Sequence, residues 1–257
     1  MNGPQRISSR DNPLLARLRK LAQDGTAYRR SGQVWLEGEH LCSALRQCGG
    51  LPEQAVLTEA AWQDGALRAL ASGVAKVTVV PPALFAGISG LESPAAIGFL
   101  MAMPVAGAID AGAATVVLDR LQDAGNVGSV LRSAAAFGVR QVLAIKGTAA
   151  LWSPKVLRAG MGAHFGLRLI ESLDEADLAL LAVPLVATSS HGGAELPDAE
   201  LPKPCAWVLG HEGQGVSPSL LARCALQVRI PQPGGEESLN VAAAAAVCLY
   251  ESARRRQ

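Results

Sequence analysis

The sequence predicts an α/β protein in two parts: a small α/β sandwich over residues 1–102 and a parallel-sheet domain over residues 114–257, joined by a linker at 103–113. Three observations carry this. Short β-branched and apolar runs alternate with segments of helical period along the whole chain. In the second part, the first strand, helix and next strand form a βαβ unit with a parallel crossover. Three later strands there run straight into glycine-rich loops, and the carboxyl edge of an open parallel sheet is where ligands bind.

The bulk composition narrows the classes. The chain of 257 residues is 49% hydrophobic and 18% charged, so it can bury a core and is not disordered. A net charge of +1 gives no global basic field. A nucleic-acid partner therefore has to be met by local patches. Cys42, Cys48, Cys205, Cys224 and Cys248 are odd in number and form no Cys-x-x-Cys pair. They predict neither a disulfide framework nor a zinc site; the thiols read as reduced and no metal is expected. The polar N-terminus lacks the apolar core of a signal peptide, and the longest apolar run, Val241–Tyr250, is too short to span a bilayer. A cytoplasmic protein without membrane attachment is the expectation.

The first part opens with a locally basic stretch, Arg6–Arg30, with Arg17, Arg19, Lys20, Arg29 and Arg30 against Asp11 and Asp24. Asn12-Pro13 predicts a cap followed by proline at the first helical position. Leu14, Leu15, Leu18 and Leu21 follow at helical spacing. The cationic face reads either as solvated surface or as a contact for nucleic-acid phosphates. Strands are predicted at Gln33–Glu37, Ala55–Leu57, Val77–Val80 and Ala96–Met101, with helices at Glu39–Cys48, Ala60–Ala71 and from Pro82 to Ile88. No His/Asp/Cys constellation occurs here, so the expected role is binding or structural. Met103–Ala113, rich in Ala and Gly, reads as the linker.

The second part begins with a buried strand, Thr115–Leu118. After the loop Asp119–Gly125, Asn126 is predicted to cap a helix whose stripe is Val127, Val130, Leu131, Ala134 and Phe137. Arg132 falls off that stripe, and Gly138 ends the helix. Val142–Ile145 is the next strand. Ser153–Met161 is a short helix exposing Lys155 and Arg158. Leu167–Ile170 is a strand and Asp174–Ala182 a helix. Leu185–Thr188 runs into the loop Ser189–Gly193, Ala206–Leu209 into Gly210–Ser217, and Leu226–Ile230 into Pro231–Gly235. Ser238 is predicted to cap the alanine-rich helix that follows. The spacing of Gly210, Gly213 and Gly215 fits neither the dinucleotide fingerprint nor the P-loop.

With these stretches in hand, the chain resembles the SpoU (TrmH) family of RNA ribose 2′-O-methyltransferases, within the SPOUT class. The residues that carry the resemblance are Asp123-x-x-Asn126-x-Gly128-x-x-x-Arg132-Ser133-Ala134, Leu209-Gly210-His211-Glu212-Gly213-x-Gly215, and Ile230-Pro231-x-x-Gly234 with Ser238-Leu239-Asn240-Val241. The match spans residues 114–253. One departure is Ala242, where the family often carries Ser; a small helical residue is retained. The first hundred residues resemble the ribosomal-protein-like substrate-binding domain that often precedes it, including Glu37-Gly38.

The resemblance implies a deep C-terminal trefoil knot and a knot-mediated homodimer. It implies S-adenosylmethionine as methyl donor, held by Thr188, Leu209, Gly210, Ile230, Ser238 and Leu239. Arg132 is then the catalytic residue, with Asn126, Glu212, Ser238 and Asn240 orienting it and the hydroxyl. Arg17, Lys20, Arg29, Arg30, Lys155 and Arg158 are the candidates for contact with RNA, ribosomal RNA ahead of tRNA. A non-catalytic RNA-binding protein of the same fold is disfavoured by the intact polar set. A nicotinamide-dependent oxidoreductase is disfavoured because Asp119–Gly125 lacks the glycine fingerprint.

Overall fold

The computed structural model describes residues 3–189, 192–235 and 238–255. Ser190, His191, Glu236 and Glu237, which fall in two of the expected ligand loops, lie outside the described residues. The chain divides into two compact units, Met1–Val105 with Trp152–Phe165, and Ala106–Leu151 with Gly166–Gln257.

The first unit contains β1 (Gln5–Arg6), α1 (Pro13–Gln23), α2 (Ala27–Ser31), β2 (Gln33–Glu37), α3 (Glu39–Gln47), β3 (Gln54–Thr58), α4 (Glu59–Gln63), α5 (Gly65–Leu70), β4 (Lys76–Val80), α6 (Pro82–Ala86) and β5 (Ile97–Ala102). Its sheet runs in the order β1-β4-β3-β5-β2, with β5 antiparallel to both neighbours. Asn12 caps α1 as its sequence suggests: Oδ1 accepts the Leu14 N–H at 2.9 Å, and Pro13 opens the helix. Leu14, Leu15, Leu18 and Leu21 are buried beneath it. The single helix expected over Ala60–Ala71 is two helices, because the Asp64 side chain accepts the N–H groups of Ala66 and Leu67 and starts α5. Aspartate competes for backbone N–H groups, which favours a cap over a helix interior. The two-residue β1, paired with β4, is too short to leave a period in the sequence.

The second unit begins with β6 (Thr115–Asp119), α7 (Ala124–Ala136) and β7 (Gln141–Ile145). The chain then forms α8 (Pro154–Gly160), which packs on α1 and β2 and belongs to the first unit. Residues 152–165 were expected in the second domain. Their local pattern specifies a helix but not which core it covers. The second unit continues with β8 (Arg168–Leu173), β9 (Leu185–Thr188), β10 (Ala194–Glu195), β11 (Ala206–Gly210), α9 (Pro218–Leu221), β12 (Leu226–Arg229) and α10 (Val241–Arg254). The helix expected at Asp174–Ala182 is a tighter 3₁₀ turn, Glu175–Leu180. Gly138 follows α7 with φ +76°, the left-handed stop read from sequence.

The seven strands are ordered β10-β12-β9-β11-β6-β7-β8 and every pairing is parallel. Every residue of β6, β7 and β11 is buried. Parallel strands covered on both faces read as unbroken apolar runs, which is why these three were plain in the sequence. β12, β9 and β11 are neighbours, so their carboxyl ends lie side by side. α7 and α10 pack on each other, and α10 also packs on β11. Among the described residues no helix is long and apolar enough to cross a membrane.

Candidate active site

The ends of β9, β11 and β12 and the start of α10 enclose a cleft of about 570 Å³. Thr188, Gly210, Glu212, Ile230, Ser238, Leu239 and Asn240 line it. Leu209 does not; it is fully buried inside β11, one residue short of the edge. Gly210 is the residue at the lip. A Cβ there would sit 2.1 Å from the backbone of Gly215 and Val216, so the loop after β11 can fold back only over glycine.

Asn126 is not the cap of α7. Asp123 is: its Oδ1 accepts the Asn126 N–H at 2.7 Å and the helix starts at Ala124. The Asn126 side chain is thereby released toward the cleft. Its Nδ2 donates to Glu212 Oε1 at 3.2 Å, and its Oδ1 accepts from Asn240 Nδ2 at 3.0 Å. Asn240 in turn is the cap of α10, in place of Ser238; its Oδ1 accepts from the N–H groups of Ala242 and Ala243 at 2.9 and 3.3 Å. The backbone donors of α10 fix which end of Asn240 faces Asn126, and that fixes Asn126 toward Glu212. Glu212 completes the series by accepting the N–H groups of Gln122 at 3.1 Å and Asp123 at 3.0 Å. Burial pushes the Glu212 carboxyl up, but these donors, its own backbone N–H and Asn126 together outweigh it and hold the group below the usual carboxylate range. Ser238 is exposed and contributes to the lining only.

Arg132 lies six residues beyond Asn126, about 9 Å along the helix axis. It is exposed and has no hydrogen-bond or ion-pair partner among the described residues. The geometry thus joins Asn126, Glu212 and Asn240 and leaves Arg132 free of them.

Three neighbours were missed in the sequence. Asp119 is fully buried at the end of β6, where Oδ2 accepts the Ser217 N–H at 2.6 Å and Oδ1 pairs with Arg120 at 2.8 Å. It ties the end of β6 to the loop after β11. A single acid closing an apolar run was the available signal. His211 lines the cleft, and its Nδ1 accepts from the N–H groups of Gly213 and Gln214, so Nε2 carries the proton of the neutral ring. Gln232 also lines the cleft, with its Oε1 shut off from solvent.

All six candidate RNA contacts belong to the first unit, including Lys155 and Arg158 of α8. Arg17 donates to Gln33 Oε1 at 3.2 Å, and Arg30 is paired with Asp24 at 2.5 Å. Arg29 lies over the Tyr28 ring, 5.6 Å from its centroid. Lys20 and Lys155 are exposed and without partners among the described residues, and Arg158 is half-buried.

The sequence profile of the SpoU rRNA methylase family matches residues 113–250. An uncharacterized tRNA/rRNA methyltransferase of Synechocystis is 35% identical over 98% of this chain and 94% of its own. The 23S rRNA guanosine 2′-O-methyltransferase RlmP of Bacillus subtilis is 31% identical over 84% of this chain and 86% of its own. Among solved structures, the SpoU methyltransferase AviRb of Streptomyces viridochromogenes in complex with S-adenosylmethionine superposes with a TM-score of 0.85, at 25% identity, over 95% of this chain and 98% of that one.

Proposed function

The chain belongs to the SpoU rRNA methylase family, and from that premise we propose that it transfers a methyl group from S-adenosylmethionine to a ribose 2′-hydroxyl of ribosomal RNA, acting in the cytoplasm as a homodimer. The observation that carries this is the hydrogen-bonded series Glu212–Asn126–Asn240, built from all three family motifs at the rim of one cleft. The cleft fits the donor. Its volume of about 570 Å³ lies in the range usual for small-molecule sites, roughly 300–1,000 Å³. Its walls combine the apolar side chains of Val228, Ile230, Leu239 and Val241 and bare glycine backbone with polar groups such as Thr188, Glu212 and Asn240, the mixed lining a ligand with an aromatic base and a polar tail requires. Thr188, Gly210, Ile230, Ser238 and Leu239 would hold the ligand.

When bound, S-adenosylmethionine would supply an electrophilic methyl group on a sulfonium, whose sulfur keeps the bonding pair and leaves as a neutral thioether. The work left to the protein is to align the hydroxyl and stabilise it as it loses its proton to solvent. Arginine is not deprotonated in proteins, so Arg132 acts as a fixed cation that holds the adjoining phosphate and steadies the developing 2′-oxyanion. Glu212, Asn126 and Asn240 keep the starts of α7 and α10 in register, which sets where Arg132 stands relative to the cleft.

The cations of the first unit, Lys20 and Lys155 foremost, would grip RNA phosphates. α10 leaves Val247 and Tyr250 exposed, and these would meet the second copy in the knotted dimer. The test is transfer of labelled methyl from S-adenosylmethionine to ribosomal RNA from a strain deleted for this gene, with the product mapped. A single new ribose 2′-O-methyl in that RNA is expected. Label on a base, or on tRNA alone, overturns the assignment.

A further inference from the structure

The loop after β11 forms one wall of the cleft, and residues 210–215 all line it. Three of those six residues are glycine, which loses more freedom on ordering than any other residue. Such a loop keeps one shape only where something outside it holds it. Asp119 and Gly210 are register partners at the ends of β6 and β11, so the segments that follow leave the sheet side by side. Three cross-links join them. Glu212 accepts the N–H groups of Gln122 and Asp123. Arg120 donates to Gln214 Oε1 at 3.4 Å. At the far end the direction reverses, and Asp119 Oδ2 accepts the Ser217 N–H at 2.6 Å. Each segment lends the other a carboxylate.

Asp119 is fully buried and does not line the cleft. Its Oδ1 accepts from Arg120 Nε at 2.8 Å. Arg120 turns back onto it from a left-handed backbone, φ +61°, a conformation unfavourable to any residue but glycine. A buried charge must be matched by a cation and by hydrogen bonds, and both are present. An apolar residue would close β6 without that desolvation cost. What it could not do is hold Ser217.

Resting on the methyl-donor reading above, we propose that Asp119 is a positioning residue for the transfer, acting only through its neighbours. It fixes the Ser217 end of the cleft wall. The wall carries Glu212, and Glu212 holds the start of α7, the helix of Asn126 and Arg132. The shape of the donor cleft and the placement of Arg132 are therefore set together.

Two measurements on the full-length protein test this, both well below the melting temperature of each variant. Backbone hydrogen exchange without ligand reads the coupling, and calorimetry with S-adenosylhomocysteine reads its consequence. In Asp119→Ala, exchange should quicken about tenfold at Ser217 and also at Gln122 and Asp123, on the other side of the joint. Affinity for S-adenosylhomocysteine should fall about tenfold, and kcat at saturating donor should fall as well. Asp119→Asn keeps an oxygen able to accept the Ser217 N–H and should recover most of both losses. Ser217→Pro removes the donor from the other side, at a φ of −57° that suits proline, and should reproduce Asp119→Ala even if that variant does not fold. Faster exchange confined to Ser217, with ligand affinity and kcat near wild type, overturns the proposal, because Asp119 would then be a local tie. Equal losses in Asp119→Ala and Asp119→Asn overturn it too, since the buried charge and not the Ser217 contact would matter. A wild type that binds no S-adenosylhomocysteine removes the methyl-donor reading and the role in transfer with it, while the exchange pattern still decides whether the two segments are coupled.

Discussion

The cleft of the second unit and the basic surface of the first solve different physical problems. In the cleft, Glu212, Asn126 and Asn240 are connected in series, and each amide's orientation is set by the next. On the first unit, Lys20 and Lys155 stand in solvent on long side chains, while Arg17 and Arg30 lean on single neighbours. Methyl transfer depends on alignment, where a displacement of an ångström is felt in the rate. Phosphate contact depends on charge and tolerates motion, because it positions RNA without reading it. The two regions should therefore fail differently: the cleft abruptly, the basic surface by degrees.

Arg132 gives the largest expected break. Arg132→Ala should lower kcat by about 10³-fold or more, the scale of losing a transition-state donor. The calorimetric affinity for S-adenosylmethionine should stay near wild type, since Arg132 does not line the cleft. Arg132→Lys should also be severely impaired, because a point charge does not reproduce the planar fork. A lysine variant of near-normal rate would show that charge alone suffices, and the cleft would lose its contrast with the basic surface.

Breaking the series at its centre should come next. Asn126→Asp sets a second carboxylate against Glu212 and removes the donor, so it should cost about 10²-fold in kcat and exceed Asn126→Ala. The pH profile of kcat/KM sharpens this. In the wild type the Glu212 carboxyl is held below its ordinary value of 4.5. Its contribution is therefore complete above that value and fades only as pH falls below it. In Asn126→Asp the acid limb should move upward. An unmoved limb would mean that Glu212 and Asn126 act independently.

On the first unit, the paired variant Lys20→Ala with Lys155→Ala should weaken RNA binding moderately. It should flatten the plot of log K against log salt by about 1.4–1.8, for two phosphates released. S-adenosylmethionine affinity should not change. An unchanged slope would return these lysines to solvated surface.

The smallest effect lies at the end of α10. Glu251 accepts from Arg254 at 2.7 Å and Arg255 at 2.5 Å. Hydrogen bonding from Arg254, opposed by burial and aided by Arg255, brings its pKa down to about 2. A depressed carboxylate stabilises fully above its unfolded value, near 4.5, and loses that contribution as pH falls toward 2. Glu251→Gln should lower Tm by about 2–4 °C at pH 7, with the gap to wild type closing near pH 2. A gap independent of pH would assign the loss to packing.

Much of this was legible because it is local. The strands at Thr115, Gln141 and Ala206 announce themselves as apolar runs, and the Asn12-Pro13 cap needs no distant partner. The glycine loops after β9, β11 and β12 were visible for the same reason, and their shared edge followed from parallel pairing. What the sequence could not decide was any choice between local near-equals. Asp123 and Asn126 both make good caps, as do Ser238 and Asn240. The choice in the first pair involves Glu212, 86 residues from Asn126 in sequence, which engages the Asn126 side chain once Asp123 has taken the cap. α8 reads as a helix from its own residues, yet its place against α1 and β2 is a matter of which apolar surface it covers. Gln232 carries no sequence signal at all, since an unpaired oxygen is defined by every group that fails to reach it. Periodicity and capping act over a few residues and are written in them. Pairing between side chains far apart in the chain exists only after the sheet has brought its strand ends together.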